Sequence, residues 1–155
     1  MSGLGFSLEP MPLVGVVVTD LDAAIARYSA LFGLEFRIFV PGVDYELRYE
    51  TSGEGDTSQE LPGRLRIAFD TDDSFELVEI PGSAEGVRNM HYRVDDMDAA
   101  LAHFAAQGLE PVQIIRAGGA REVVFDASDL TGLRLCLLQF DGDSFAEALA
   151  ASPQI

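Results

Sequence analysis

The 155-residue sequence is short of several features, and each shortage excludes a class of protein. Cys136 is its one cysteine, so a disulfide framework is excluded and a reducing compartment is expected. No apolar run approaches the roughly 18 residues that cross a bilayer. Residues 1–8 also lack the basic and apolar regions of a signal peptide. We therefore expect a cytoplasmic protein with no membrane partner.

Basic residues are also scarce. The ten that are present are all arginines, and they stand against 26 acidic residues for a formal charge of −16. An acidic surface of this kind repels phosphate backbones and anionic lipids, so no nucleic-acid partner is expected. Hydrophobic residues make up 48% of the chain, which is typical of a globular domain. Arginines that face an internal cavity remain able to bind a small anion.

The most informative feature that is present is an internal repeat. Residues 16–25 read VVVTDLDAAI, and residues 92–101 read YRVDDMDAAL. Each copy then ends its helical pattern at a Gly-Leu-Glu triplet, Gly33–Glu35 in the first and Gly108–Glu110 in the second. The repeat predicts one domain, residues 1–155, built from two similar units over about 12–80 and 88–140.

Each unit predicts a strand, a helix and three further strands. A β-branched or apolar run favours the first strand, and Asp20 or Asp96 can cap the helix that follows. Gly33 and Gly108 lie where a helix needs a left-handed residue to end. The further strands are predicted over residues 34–40, 65–69 and 75–80 in the first unit, and over 110–115, 122–125 and 133–140 in the second.

Two segments fall outside the repeat. An insertion at about 41–63 brings Tyr45 and Arg48, which are candidates for the mouth of a ligand pocket. The alternative is a solvent-exposed loop with one short strand. A short helix is predicted at about 143–150, and a homodimer in which it packs on a neighbouring subunit is one interpretation.

The repeat motif, with its Asp-Leu-Asp-Ala-Ala and Asp-Met-Asp-Ala-Ala segments, resembles the vicinal oxygen chelate superfamily. That superfamily includes glyoxalase I, methylmalonyl-CoA epimerase, extradiol dioxygenases and the bleomycin- and fosfomycin-resistance proteins. Phe75–Glu79 is similar to the family's Ile-Glu-Leu strand, and Asp129–Gly132 to its Asp-Pro-Asp-Gly turn. The resemblance implies an α+β fold in which two βαβββ modules form a curved mixed sheet around a cavity.

The resemblance also implies four positions that hold a divalent metal in the family's metal enzymes. Carried over residue by residue, these positions fall on Leu13, Glu76, Asn89 and Cys136. Among these four side chains, Glu76 is the one of a type that the family uses as a metal ligand. Leucine cannot coordinate, and a thiolate beside a carboxylate with no imidazole is an unusual set. We therefore expect no metal and no other cofactor.

Strand alternation predicts what takes the place of a metal. Residues two apart on a strand share a face, so a polar cluster is expected to face the cavity: Glu76, Asn89, His91, Arg93, Arg134 and Cys136. We predict Glu76 as a catalytic base and His91 as its acid partner. Asn89, Arg93 and Arg134 are predicted to bind substrate, together with Tyr45 and Arg48 of the insertion. The alternatives are that His91 is a hydrogen-bonded core residue and Cys136 a small buried hydrophobe.

These residues favour metal-independent proton transfer on a small carbonyl or carboxylate molecule, by an isomerase, epimerase or lyase. Two alternatives remain open. One is a non-catalytic protein that binds a drug or metabolite, as the resistance proteins do. The other is a metal-dependent glyoxalase or dioxygenase whose ligands lie at other positions.

Overall fold

The computed structural model of the chain describes residues 3–52 and 65–151. The first half contains β1 (Leu8–Val18), α1 (Leu21–Phe32), β2 (Phe36–Phe39), β3 (Leu47–Ser52), β4 (Arg66–Asp70) and β5 (Phe75–Glu79). The second half contains β6 (Gly86–Val94), α2 (Met97–Ala106), β7 (Gln113–Ala117), β8 (Ala120–Phe125), a short 3₁₀ turn (Ala127–Leu130), β9 (Arg134–Gln139) and α3 (Phe145–Ala150).

The nine strands form one mixed sheet in the order β2-β4-β5-β1-β6-β9-β8-β7-β3. β1 pairs in parallel with β5 and antiparallel with β6, and β6 pairs in parallel with β9. Each half therefore contributes a βαβββ module, and the two modules join through their first strands. The predicted α+β fold, with a curved mixed sheet around a cavity, is confirmed.

The helices begin where the sequence predicts. The side chain of Asp20 accepts a hydrogen bond from the backbone N–H of Ala23, and Asp96 does the same for Ala99, both at 3.0 Å. α1 ends at Gly33, whose φ of +67° is a left-handed conformation that favours glycine. No helix in the described ranges is long and apolar enough to cross a bilayer.

β3 departs from the simple repeat. It belongs to the insertion of the first half, yet it pairs antiparallel with β7 of the second half, with Leu47 opposite Ala117 and Ser52 opposite Gln113. β3 of the insertion is thus an edge strand, and it lies next to β7 at the end of the sheet formed by the second module. The rest of the predicted insertion, residues 53–63, lies outside the described residues.

The two faces of the sheet have different packing partners. One face packs against α1 through residues such as Val16 and Leu77, and against α2 through Val94 and Leu137. The concave face carries a third buried cluster that contains aromatic residues from both halves. Since the helices α1 and α2 cover only the convex side, the concave face is available to hold a site.

α3 packs on the concave face of its own chain. The backbone N–H of Phe145 donates to a carboxylate oxygen of Asp73 at 2.9 Å, and its ring lies 5.4 Å from that of Phe69. At the other end of the helix, the carbonyl of Ala148 accepts a hydrogen bond from Gly119 at 2.8 Å. α3 therefore covers the concave face of its own chain, and the predicted homodimer stays a prediction.

Candidate functional site

Four adjacent strands bring their polar residues into one row. On β5, β1, β6 and β9, the Cα atoms of Glu76, Gly15, Asn89 and Arg134 are successive partners across the sheet. Residues in register share a face, so these side chains all point to the concave side. The structure thus brings together three of the predicted site residues, Glu76, Asn89 and Arg134.

Gly15 makes room for this row. A Cβ atom at Gly15 would lie 2.8 Å from the Cβ of Asn89, closer than real side chains approach, and 3.1 Å from Oε1 of Glu76, which is also tight. The missing side chain lets Nδ2 of Asn89 reach across β1 and donate to Oε1 of Glu76 at 3.4 Å. Glycine is therefore required here by the close approach of two neighbours rather than by its own backbone angles.

The row forms part of the wall of a cavity of about 130 Å³. Its apolar walls come from both modules and from α3, and include Ile67, Phe69, Ile115, Phe145 and Leu149. Polar side chains face the same space from β5, β6, β8 and β9, namely Glu76, Arg88, Asn89, Glu122 and Arg134. An apolar cavity with a few convergent polar groups is the usual form of a small-molecule site.

His91 lies behind Glu76. Its Nδ1 is 3.0 Å from the backbone carbonyl of Leu13, which can only accept, so Nδ1 carries the proton that makes this hydrogen bond. Nε2 of the fully buried ring is 3.9 Å from Oε2 of Glu76, and it has no hydrogen-bond partner among the described residues. In the neutral ring Nε2 is therefore the unprotonated nitrogen, and it faces the carboxylate.

Glu122 is the site residue that sequence reasoning missed. It lies on β8 opposite Leu138 and Ile115, whose side chains face the concave side, and it lines the cavity. Burial, and next the negative charge of Glu76, raise the pKa of Glu122 to about 7. The signal that could have found it is alternation along β8, which places Glu122 on the face opposite to Val123.

Cys136 donates its thiol hydrogen bond to Glu122. Burial raises the pKa of this thiol well above its usual range, and the nearby carboxylates of Glu122 and Glu76 raise it further. Such a thiol stays protonated near neutral pH and is a poor nucleophile. Cys136 therefore acts as a buried hydrogen-bond donor to the acid.

The remaining predicted binding residues are divided between the cavity and other places. Tyr45 lines the cavity, and burial raises the pKa of its hydroxyl above its usual range. Arg48 is largely exposed, and its guanidinium lies 3.7 Å from Glu46. Arg93 donates to the carbonyls of Phe140 and Gly142 at 2.7 and 2.8 Å. Arg48 and Arg93 are thus placed away from the cavity.

Comparison with known proteins agrees with this architecture. The model of the Glyoxalase/Bleomycin resistance protein/Dioxygenase superfamily matches residues 11–137. The chain belongs to this superfamily. No curated protein sequence matches the chain.

Solved structures of methylmalonyl-CoA epimerases share the superfamily fold of this chain. The enzyme from Streptomyces coelicolor, in complex with 2-nitronate-propionyl-CoA, is 22% identical with a TM-score of 0.60, covering 88% of this chain and 100% of that one. The enzyme from Mycobacterium tuberculosis is 19% identical with a TM-score of 0.58, covering 87% and 88%. Hypothetical protein BH1468 from Bacillus halodurans is 14% identical with a TM-score of 0.59, covering 90% and 97%.

Many members of this superfamily hold a metal, and the donor chemistry of the row tests whether this chain can. Leu13 and Cys136, to which the resemblance carried two ligand positions, are not in register with Glu76 and Asn89. The residues in register with Glu76 and Asn89 are Gly15 and Arg134. Glycine offers no side-chain donor and a guanidinium is a cation, so the row does not fit a divalent ion. No group of three or more His, Cys, Asp or Glu in the described ranges is arranged to hold one.

The raised pKa of Glu122 predicts that stability depends on pH. Between its ordinary value of 4.5 and the folded value of about 7, the native state binds more protons than the unfolded state. The free energy of unfolding therefore falls as pH rises through this window, by on the order of 3 kcal/mol. Glu122→Gln cannot ionise, so we expect it to gain about this much over the wild-type protein at pH 8 and little at pH 4.5.

Urea unfolding of both proteins at several pH values between 4.5 and 8 measures this difference. Glu110→Gln is a matched control because Glu110 is exposed. It should leave the difference from the wild-type protein constant across the range. A Glu122→Gln variant that follows the wild-type pH profile would show that Glu122 does not titrate in this window.

Proposed function

We propose that this superfamily member is a metal-independent isomerase of the epimerase type, which moves a proton at a carbon next to a carbonyl group. The observation that carries the proposal is the pair of carboxyl groups in one cavity. Burial, and next the negative charge of Glu76, raise the pKa of Glu122 to about 7, so Glu122 can hold a proton near neutral pH in the cavity that it shares with Glu76. Two carboxyl groups that differ in protonation form a base and an acid.

The proposed reaction conserves its atoms and electrons. The carboxylate of Glu76 removes the proton, and the electron pair of the C–H bond forms the C=C bond of an enolate whose charge lies on the carbonyl oxygen. The carboxyl of Glu122 then returns a proton to the carbon, and the enolate collapses to the carbonyl. Delivery to the opposite side of the carbon inverts its configuration. Proton exchange between the two glutamates and solvent restores the starting state.

Arg134 and Asn89 are the proposed anchors for substrate. They flank Glu76 in the row, and Arg134 is a cation without a paired acid in the described ranges. A guanidinium that faces a developing oxyanion stabilises it more strongly in an enclosed cavity than in water. This positive charge supports proton transfer without a metal, because it supplies the electrostatic stabilisation that an ion would otherwise provide.

His91 is proposed as a positioning residue for Glu76. The Leu13 carbonyl fixes its orientation, and Nε2 faces the carboxylate at 3.9 Å without lining the cavity. It therefore acts on the base rather than on the substrate.

Solvent deuterium exchange tests the proposal. The protein, treated with EDTA and checked for metal by elemental analysis, is incubated in D₂O with small carbonyl acids and with propionyl-CoA. NMR then follows loss of the C–H signal next to the carbonyl. Enzyme-dependent exchange without metal is the expected result. Binding of these molecules with no exchange would support a non-catalytic binding protein, and exchange that requires added metal would support a metal enzyme.

A further inference from the structure

Arg134 lines the cavity and carries one buried donor without an acceptor in the described residues. Its Nε is buried and makes no hydrogen bond within the described ranges, where the side chain also has no ion pair. Other arginines are paired with acids, as Arg66 is with Glu79 at 2.9 Å and Arg116 with Glu50 at 2.8 Å. A buried donor without an acceptor is costly, so the unpartnered Nε of this half-buried side chain favours a ligand that supplies the acceptor.

The acidic residues of the cavity do not supply a hydrogen-bond acceptor for Arg134. Glu76 is hydrogen-bonded to Asn89, and Glu122 accepts from the thiol of Cys136. Arg134 interacts with Glu122 electrostatically, without a hydrogen bond or an ion pair. Oδ1 of Asn89 is likewise buried without a partner in the described residues. The cavity thus offers a cationic donor group and one acceptor, which together suit a carboxylate and a hydroxyl or enol.

The size of the cavity limits the ligand. Its volume of about 130 Å³ is slightly below that of an engineered apolar cavity of ~150 Å³ that holds benzene. A molecule of about six or seven non-hydrogen atoms fills such a space. The nucleotide portion of coenzyme A is several times larger and would have to lie outside.

The charge of the protein opposes binding of the nucleotide portion of coenzyme A outside the cavity. Coenzyme A carries several phosphate charges, and the chain has a formal charge of −16. Some of the arginines that could offset this repulsion are held by carboxylates, as Arg121 is by Asp98 at 2.8 Å and Glu50 at 3.2 Å. A bound coenzyme would therefore meet a repulsive surface.

We infer that the substrate is a short-chain free carboxylic acid with a carbonyl group rather than a coenzyme A thioester. It is a 2-oxo acid of about four carbons whose C3 carries one hydrogen and one further substituent, and 2-oxobutyrate is its unsubstituted parent. The carboxylate receives two parallel hydrogen bonds from Arg134, and the carbon beside the carbonyl lies next to Glu76. The reaction rests on the proposed proton transfer, whereas the ligand class rests on Arg134 and the cavity alone.

Calorimetric binding tests the ligand class with three probes: 2-oxobutyrate, its methyl ester and propionyl-CoA. The wild-type protein is expected to bind the acid about 10- to 100-fold more tightly than the ester, since the ester lacks the charge-assisted hydrogen bonds. Arg134→Gln should lower affinity for the acid by a similar factor and lower affinity for the ester much less, so that the preference for the acid is lost. Arg27→Gln is the control because Arg27 is exposed on α1.

The outcomes separate the ligand class from the reaction. Tighter binding of propionyl-CoA than of 2-oxobutyrate, or no binding of the acid, overturns the inference. So does an Arg134→Gln variant that keeps the preference for acid over ester. If 2-oxobutyrate binds through Arg134 and its C3 protons do not exchange in D₂O, the ligand class stands and the proposed proton transfer fails.

Discussion

Glu76→Gln should lower the rate of substrate proton exchange by about 10³- to 10⁴-fold while the fold remains intact. Glutamine has nearly the same volume as glutamate, and its side-chain oxygen can still accept the hydrogen bond from Asn89 that now joins the two residues at 3.4 Å. It cannot take up a proton from carbon. The loss should therefore appear in kcat, with substrate affinity close to that of the wild-type protein and no loss of stability on unfolding in urea.

A second measurement makes this prediction independent of turnover. The charge of Glu76 is one cause of the raised pKa of Glu122, so Glu76→Gln should move that pKa down toward its ordinary value. Carboxyl ¹³C NMR titration of the two proteins measures the change. Glu9→Gln, at an exposed position of β1, should alter neither rate nor titration. A Glu76→Gln variant with wild-type exchange would place the base elsewhere.

Gly118→Ala should be strongly destabilising, with a loss of about 3–5 kcal/mol in the free energy of unfolding. The new Cβ would lie 2.0 Å from the backbone carbonyl oxygen of Leu149, which cannot move without α3. Displacing α3 exposes the rings and side chains that it buries, including Phe145 and Leu149. Urea unfolding measures the loss, and weaker ligand binding should accompany it because both residues line the cavity.

The matched control for this variant is Gly82→Ala. Both glycines have a left-handed backbone, with φ of +53° at Gly118 and +80° at Gly82, but a Cβ at Gly82 meets nothing within 4 Å. Gly82→Ala should therefore show only the backbone term, about 1–2 kcal/mol. Equal losses in the two variants would mean that the contact between Gly118 and α3 contributes nothing.

Much of the fold was predictable because local physical chemistry sets it. The helix starts at Asp20 and Asp96 depend on one side chain and one N–H three residues later, and alternation sets which face of β5 and β6 carries Glu76 and Asn89. The predicted convergence of Glu76, Asn89, His91 and Arg134 follows from the same alternation. Their roles as base, partner and anchors stay predictions.

What could not be predicted depends on register between distant strands. Alternation places His91 and Arg93 on one face of β6, but it does not give their distance along the strand from the cavity. Arg93 lies beyond the cavity, where it donates a hydrogen bond to the carbonyl of Phe140 just after the end of β9. The position of Gly15 between Glu76 and Asn89 likewise depends on pairing across the sheet and not on alternation along one strand. Glu122 was missed because its neighbour Glu76 is 46 positions away along the chain.

The pairing of β3 with β7 and of β1 with β6 has a consequence for the order in which the chain acquires its structure. β1 begins opposite Val94, so its antiparallel partner does not exist until the first half has been synthesised. β3 waits still longer, until residues 113–117 have left the ribosome. Pairings this remote in sequence slow folding, because loop closure precedes the contacts that compensate it. The nascent first half can pair β1 with β5, but the edge of β1 that later meets β6 stays unpaired, and this is the stage at which aggregation or chaperone capture would act.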